Sequence, residues 1–359
     1  MKPVLVIGGY GTFGSQVALE LAARDIPLIV AGRDAKKSTK FAQQLGPAHR
    51  GLFLDVSQRE SCRSAMQDRP VVVNCAGPFR HFDPSLLELC LETGCHYADI
   101  ADDRHYATLV RECGEQFAAK NLAAVYGCSS LPAISGALGL EMQQQCPRAP
   151  EQIRVTLFIG NDNPKGLAAV SSLVEGLGQP IPAPQGTIKC FFDRETVPLP
   201  PPFGRSIVFN FDSPEYDLFP KLFGTGNVRV KVGFELTFGS YVMHMLARAH
   251  TGYSPRDAQW ITRACQFLRG WGCSGGAVMT EFFFADRSTC RAAMLSKTEG
   301  QKMAAWPCML VAESLAKSVP VRSGACTAYE FLGAEPLLAQ MVAAGFELHT
   351  VPTEARVNG

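Results

Sequence analysis

The sequence predicts an α/β fold: a doubly wound parallel sheet on the N-terminal side, then a second α+β domain with a mainly antiparallel sheet. Three observations predict it. Apolar runs and helical patterns alternate through residue 127. The first run, Val4–Ile7, feeds the glycine loop Gly8-Gly9-Tyr10-Gly11-Thr12-Phe13-Gly14. After Ser135 the alternation gives way to shorter strand patterns and proline-rich loops, the texture of an antiparallel sheet with helices.

Taken in order, Val4–Ile7 reads as a buried parallel strand, and Phe13, Val17, Ala18, Leu21 and Ala22 recur at helical spacing behind the glycines. Leu28–Val30 is the second strand and Gly51–Asp55 a short third one. Ser57-Gln58-Arg59-Glu60 has the form of a capping box that starts a helix. Val71–Val73 is the fourth strand, broken by Asn74-Cys75-Ala76-Gly77-Pro78. Asp83-Pro84 opens a helix whose apolar stripe is Leu86, Leu87, Cys90 and Leu91. His96–Ile100 is the fifth strand; Asp102-Asp103 opens a helix to about Lys120, and Leu122–Tyr126 is the sixth strand. Six strands with intervening helices make a Rossmann-type sheet, with residues 1–134 as the first domain. Residues 135–300 form the second, with helices at 137–145 and 167–177 and strands at 153–159, 187–192, 206–211, 228–234 and 280–285. Proline-rich loops cover 179–185 and 198–202. The C-terminal helices, within about 301–345, are expected to return to the first domain.

A chain of 359 residues can hold two domains. Its net charge of +1 implies no polyanion-binding surface, so no nucleic acid is expected. Nothing approaches the roughly 20 apolar residues of a membrane span. Because the N-terminus enters a strand at once, no secretion signal is expected. Thirteen cysteines without a C-x-x-C pair point to reduced thiols and a cytoplasmic chain. Cys75 and Cys90 fall in apolar patterns where cysteine packs as a small hydrophobe. The spacing of Cys90, Cys95 and His96 matches no zinc pattern, so no metal is expected.

A strand feeding glycines and then a helix offers bare amides and a positive helix end to a pyrophosphate. Two registers fit, Gly9-x-Gly11-x-x-Gly14 and Gly8-x-x-Gly11-x-x-Gly14; both set Gly11 at the phosphate and Gly14 against the sheet. A ligand-free glycine turn is the alternative. Where an NAD-binding chain places an acid for the ribose 2′-hydroxyl, this one has Ala31-Gly32-Arg33. The forked, always-charged Arg33 suits a 2′-phosphate and predicts NADP(H); Asp34, which could hold an unphosphorylated ribose, is the competing reading. Asp55 and Val56 after the third strand, and Cys75, Ala76, Gly77, Pro78 and Phe79 after the fourth, lie at the carboxyl edge where ligands bind. They complete the expected cofactor set, with Pro78 and Phe79 against the nicotinamide.

In the fifth strand, alternation puts His96 and Ala98 on one face and Tyr97 and Asp99 on the other. Asp99, at the carboxyl end, is a candidate proton handler or amine-binding group, and Tyr97 and His96 of the same strand are catalytic candidates beside it. The plainer alternative has Tyr97 packed, Asp99 capping the next helix and His96 hydrogen-bonded. Cys128, in the loop Gly127–Pro132 after the sixth strand, is a further candidate, although a turn of small residues explains it too. A carboxylate-bearing small-molecule substrate would call for cationic clamps such as Arg205, Arg229 or Lys231. The many phenylalanines of the second domain suit core packing or an apolar substrate.

Five segments, Gly8–Gly14, Ala31-Gly32-Arg33, Asn74–Phe79, Cys90–Asp99 and Ala304-Ala305-Trp306-Pro307, together resemble the saccharopine dehydrogenase-like oxidoreductases, the stand-alone bacterial members in particular. Gly94-x-His96-Tyr97-x-Asp99 is the most distinctive of the matching patterns. The segments span the first domain almost completely and touch the C-terminal part; the middle matches only in texture. The resemblance implies an NADP-binding domain and an α/β domain that forms the substrate cleft and often a homodimer interface. It also implies hydride transfer between nicotinamide and a C=N or CH–NH group. Other relatives make carboxynorspermidine or reduce an enoyl group, and a non-catalytic NADP-binding sensor or scaffold would carry the same glycine loop.

Overall fold

A computed structural model of the chain describes residues 1–268, 270–318 and 322–354. Strand β1 (Val4–Ile7) is buried at every position, and α1 (Gly14–Ala22) turns Val17, Ala18 and Leu21 inward. β2 (Leu28–Gly32) is equally buried. Asp34 caps α2 (Ala35–Leu45) by accepting from the Lys37 amide. Then follow β3 (Arg50–Phe53), α3 (Arg59–Met66), β4 (Val71–Asn74) and α4 (Ser85–Thr93). The expected capping box before α3 does not form. Gln58 sits at the cap position, and the Ser57 hydroxyl and amide both bond Asp55 Oδ1, at 2.8 and 3.1 Å. A local side-chain turn has outcompeted the helix end for the serine.

β5 (His96–Asp99) is followed by α5 (Arg104–Glu112) and α6 (Gly114–Ala119), then β6 (Ala123–Tyr126). Asp83 accepts from the Ser85 amide and Asp103 from the Tyr106 amide, so both helix openings use the acid that the sequence offers. The single helix expected to Lys120 is split at Gly114. A Cβ on Gly114 would come 3.1 Å from Ala325, on a later strand that packs at this break.

The chain continues through α7 (Ser135–Gln145), β7 (Gln152–Ile159), α8 (Leu167–Gly176), β8 (Pro180–Ala183), β9 (Gly186–Lys189), β10 (Glu195–Pro198) and β11 (Arg205–Asn210). Next are α9 (Glu215–Phe223), β12 (Val228–Phe234), α10 (Thr237–Ala249), α11 (Pro255–Phe267), β13 (Gly276–Phe283) and β14 (Thr289–Ser296). α12 (Gly300–Ala316), β15 (Gly324–Thr327), α13 (Ala328–Leu332), α14 (Ala334–Ala343) and β16 (Glu347–Glu354) close the described chain.

These elements form two compact units, one of residues 1–129 with 304–332, the other of 130–303 with 333 onward. The first holds a parallel sheet in the order β15-β6-β5-β4-β1-β2-β3. Six of its strands are those read from the sequence. The seventh, β15, comes from the C-terminal segment and pairs with β6. The order reverses between β1 and β4, which opens a ligand crevice at their carboxyl ends.

The second unit holds a sheet in the order β10-β11-β12-β7-β13-β14-β16, antiparallel except where β12 runs beside β7. Phe158, Val197, Leu199, Val208, Ala277, Met279, Ala293 and Leu295 form one buried cluster of this unit. Phe191, Phe209, Phe219, Phe223, Phe282 and Phe284 are buried too, with ring pairs such as Phe219–Phe223 at 5.0 Å. Ten of the 22 phenylalanines are buried, eight of them in this unit.

Gly14 fixes the first unit's geometry. A Cβ there would lie 2.2 Å from the Gly8 carbonyl oxygen, a backbone atom that cannot swing aside. Gly14→Ala is expected to cost about 1–3 kcal/mol through overpacking, read as a lower urea midpoint; an unchanged midpoint would show that the loop and helix tolerate separation.

Candidate functional site

The glycine loop is shaped for an anion. Gly8 adopts a left-handed φ of +72°, and a Cβ on it would meet the Cys75 and Ala76 backbone at 2.9 Å. The loop is therefore pressed onto the end of β4, where the Cys75 amide also bonds the Ile7 carbonyl at 2.8 Å. Gly11 donates its amide to Gly8, and Ser15 bonds back to Gly11. Among the described residues, no backbone carbonyl accepts from the amides of Tyr10, Thr12, Phe13 or Gly14. These open donors stand at the positive end of α1, as a pyrophosphate requires.

At the end of β2, Tyr10 lies across Gly32, so that a Cβ on Gly32 would come 2.5 Å from the Tyr10 ring. The Tyr10 hydroxyl accepts the Asp34 amide at 3.0 Å. The Asp34 carboxylate is occupied as the α2 cap and lies 3.8 Å from the Lys37 ammonium. Arg33 is exposed, as are Lys36, Lys37 and Lys40 on the first turns of α2. Asp34 is thus engaged by its own helix, and Arg33 is exposed beside it. Asp55 turns its carboxylate to Ser57, which holds it below the usual carboxylate range, with a smaller electrostatic contribution from Arg33. Val56, half-buried, follows in the same turn.

The carboxyl ends of β4 and β5 carry a buried polar cluster. Asn74 and Asp99 are Cα partners across the two strands, and both are fully buried. Asn74 accepts the Ala76 amide and donates to the Tyr97 hydroxyl at 3.2 Å, and that hydroxyl lies 2.7 Å from the Tyr106 hydroxyl. Phe79 is buried with its ring 5.4 Å from Tyr106 and 5.6 Å from Phe82, so it belongs to an aromatic cluster. Gly77-Pro78 connects it to β4 through a cis peptide.

Asp99 Oδ1 accepts the amides of Gly127 at 2.8 Å and Ala101 at 3.0 Å. Oδ2 has no partner at bonding geometry among the described residues. Burial raises the Asp99 pKa to about 7; the Gly127 and Ala101 amides and the Tyr97 hydroxyl offset only part of that rise. Burial also pushes Tyr97, Tyr106 and Cys128 up, each with a further push from the Asp99 charge. The Cys128 amide bonds the Asp99 carbonyl and its thiol contacts the Val125 carbonyl, so it sits as a protonated thiol rather than a thiolate nucleophile. In Cys308 of α12, a hydrogen bond with the Cys75 thiol comes first and burial second; both push its thiol up.

The structure thus gathers Asp99, Tyr97, Cys128 and Cys75, and sets His96 apart from them. His96 opens β5 at the amino end, and its Nδ1 accepts the Ala123 amide at 3.0 Å. Burial lowers its pKa, which suits a neutral, structural imidazole. Three members of the cluster escaped sequence reasoning: the side chains of Asn74, Tyr106 and Cys308. Tyr106 had a signal, one turn beyond the Asp103 cap; Cys308 had only its place after Trp306-Pro307. In the second unit, two of the three candidate clamps are neutralised, and Arg205 is exposed. Lys231 is buried against Glu195 at 2.9 Å, and Arg229 meets the same carboxylate at 3.4 Å.

Comparison with known proteins agrees with this geometry. Residues 4–125 match the family model of the saccharopine dehydrogenase NADP binding domain. A saccharopine dehydrogenase-like oxidoreductase of Rattus norvegicus is 28% identical over 182 residues, covering 45% of this chain and 42% of the relative. A probable mitochondrial saccharopine dehydrogenase-like oxidoreductase of Arabidopsis thaliana is 28% identical over 145 residues, covering 38% and 32%. The chain therefore spans less than half the length of these relatives in the match. Apo saccharopine dehydrogenase (L-Glu forming) from Saccharomyces cerevisiae superposes with a TM-score of 0.69 at 12% identity, over 98% of this chain and 100% of that one. That likeness concerns the fold.

Replacing Arg33 by Ala should weaken NADPH binding by about tenfold or more, as loss of a charged phosphate contact, and leave NADH affinity within about twofold. Titration calorimetry with both cofactors checks it, and an equal loss for both would assign the 2′-phosphate elsewhere. The loop, its open amides and the match over residues 4–125 lead to one conclusion: this part of the chain is similar to the saccharopine dehydrogenase NADP binding domain, and NADP(H) is its cofactor.

Proposed function

We propose that the chain is an NADP(H)-dependent oxidoreductase that acts on a C=N bond or on the CH–NH group of the corresponding amine. NADP(H), when bound, supplies or accepts the hydride. What this chain supplies is a cofactor cradle, a buried edge and one proton-holding group, Asp99. The observation that carries the reading is Asp99 at the carboxyl edge of β5, with Oδ2 making no hydrogen bond of good geometry among the described residues and a pKa raised by burial to about 7. A carboxyl poised there can hold a proton below neutrality or stabilise a cationic iminium above it. Asn74 fixes the neighbouring Tyr97–Tyr106 hydroxyl pair, which keeps the wall beside Asp99 uncharged.

The resemblance to a saccharopine dehydrogenase, an enzyme named for a secondary amine, supports amine chemistry over reduction of a C=C bond. The apolar-substrate alternative also loses part of its motive, because many of the phenylalanines are core. The twelve described cysteines are all free thiols, which favours a reducing compartment such as the cytoplasm. Self-association through the second unit belongs to the same proposal.

The test is NADPH oxidation by the full chain against a panel of carbonyl–amine pairs and enoyl esters. Turnover with carbonyl–amine pairs alone is the expected result. Turnover with enoyl esters only, or tight NADPH binding without any turnover, overturns the reading.

Asp99 also makes a prediction that needs no substrate. Its folded pKa of about 7 lies above an unfolded value of about 3.9, so the folded state binds the extra proton between them. Stability should therefore fall as pH rises from about 4 to 7, by at most about 1.4 kcal/mol per pH unit from this group. Asp99→Asn keeps an acceptor for the two amides and should remove that slope, as seen in melts across this range. Parallel pH profiles for the two proteins would show that Asp99 ionises normally.

A further inference from the structure

We propose that the outward face of α11 and the turn after it form a docking surface for an anionic phospholipid bilayer. α11 is turned the opposite way from an ordinary surface helix. Its inward side is small: Ala258 is buried against Val170 and Val174 of α8, with Ile261 and Tyr253 packed alongside. Its largest apolar side chains face water instead, with Trp260 70% exposed and Phe267 90% exposed. Trp271, in the following turn, is 72% exposed. Two of the chain's three tryptophans are thus on this surface. Core packing would have turned these rings inward.

Arg256, Trp260, Arg263 and Phe267 fall at i, i+4, i+7 and i+11, a single stripe along the helix. Arg256 and Arg263 are exposed, and the Arg263 guanidinium lies 5.5 Å from the centre of the Trp260 ring. The turn bearing Trp271 is fixed by Glu235, whose carboxylate accepts the amides of Asn161 and Cys273. Glu235 in turn leads into α10, where Phe238 and Met245 are also exposed.

Charge selects the occupant. From residue 237 to 273 the sequence has four arginines, no lysine and a single acid, Asp257, in a chain whose total is only +1. That acid is occupied by the amide and hydroxyl of Ser254. A second copy meeting this face about a two-fold axis would oppose arginine to arginine without acids to pair them. An anionic bilayer meets both needs: tryptophan and phenylalanine settle at the headgroup level while the arginines reach phosphates. No described helix is long and apolar enough to cross a membrane, and docking of this kind lies on the surface.

The experiment floats the full chain with vesicles of phosphatidylcholine alone and with vesicles of equal parts phosphatidylcholine and phosphatidylglycerol. The expected result is flotation with the anionic vesicles only, weakened by salt. It should come with a blue shift of tryptophan emission, since Trp306 is only 5% exposed and contributes a constant background. Partitioning should fall about fivefold for each arginine removed in Arg256→Gln and Arg263→Gln, and further in Trp260→Ala with Phe267→Ala. Absence of wild-type flotation overturns the proposal without any variant. So does flotation that none of the substitutions weakens, or a dimer in sedimentation that the Trp260→Ala, Phe267→Ala pair dissociates.

Discussion

The contact between Gly14 and the Gly8 carbonyl is the constraint on which the first unit turns. It brings the start of α1 onto the loop with no side chain between them. Gly8, in its left-handed conformation, is in turn pressed against the backbone of Cys75 and Ala76. One loop therefore registers a helix end and two strand ends at once. Because Ile7 pairs with Asn74, and Asn74 with Asp99, the same contact sets the level at which the buried carboxyl stands. The cofactor cradle and the polar cluster are consecutive parts of one sheet edge, not two sites.

Burial then determines the chemistry of that edge. Taking ionisable groups out of water disfavours whichever form is charged. Tyr97, Tyr106, Cys128 and Cys308 are all driven toward their neutral forms, and Asp99 is brought to the middle of the physiological range. A neutral, tightly hydrogen-bonded wall with one carboxyl able to change charge suits the proposed reaction, in which a hydride moves and an amine nitrogen gains or loses charge. The second unit handles charge in the opposite way. Lys231, Arg154, Glu195 and Glu281 are paired with one another, and the pairs Arg154–Glu281 and Lys231–Glu195 close at 2.7 and 2.9 Å. Removing one partner of such a set leaves an uncompensated buried charge, so these residues are poor candidates for a clamp that must be free to meet a substrate.

Local signals made much of the fold legible. Of the six strands of residues 4–126, β1, β2, β4 and β6 were readable because parallel strands buried on both faces are continuous apolar runs. Asp83 and Asp103 were readable as helix openers because the bond they make is within three residues. The capping box at Ser57 failed on the same ground, since a closer acceptor, Asp55, won the serine. Strands β8, β10, β14 and β16 and helices α9 to α11 were not read, β8 because Pro180–Ala183 lies in the stretch taken as a proline-rich loop. Their patterns are set by partners far along the chain, and α11 places its aromatic residues against the usual rule.

The sequence by itself pointed to NADP(H), since the features that suggested it, a strand-glycine-helix loop and an arginine after the second strand, are all local in the chain. Tertiary structure decided the rest of the site. It separated His96 from Asp99 by putting them at opposite ends of one strand, and it brought Tyr106 to Tyr97. It gave Asp99 a near-neutral pKa, because desolvation depends on everything packed around a group and not on its neighbours in sequence. It also decided that β15, from beyond residue 320, completes the parallel sheet, a pairing that only the closed chain can form.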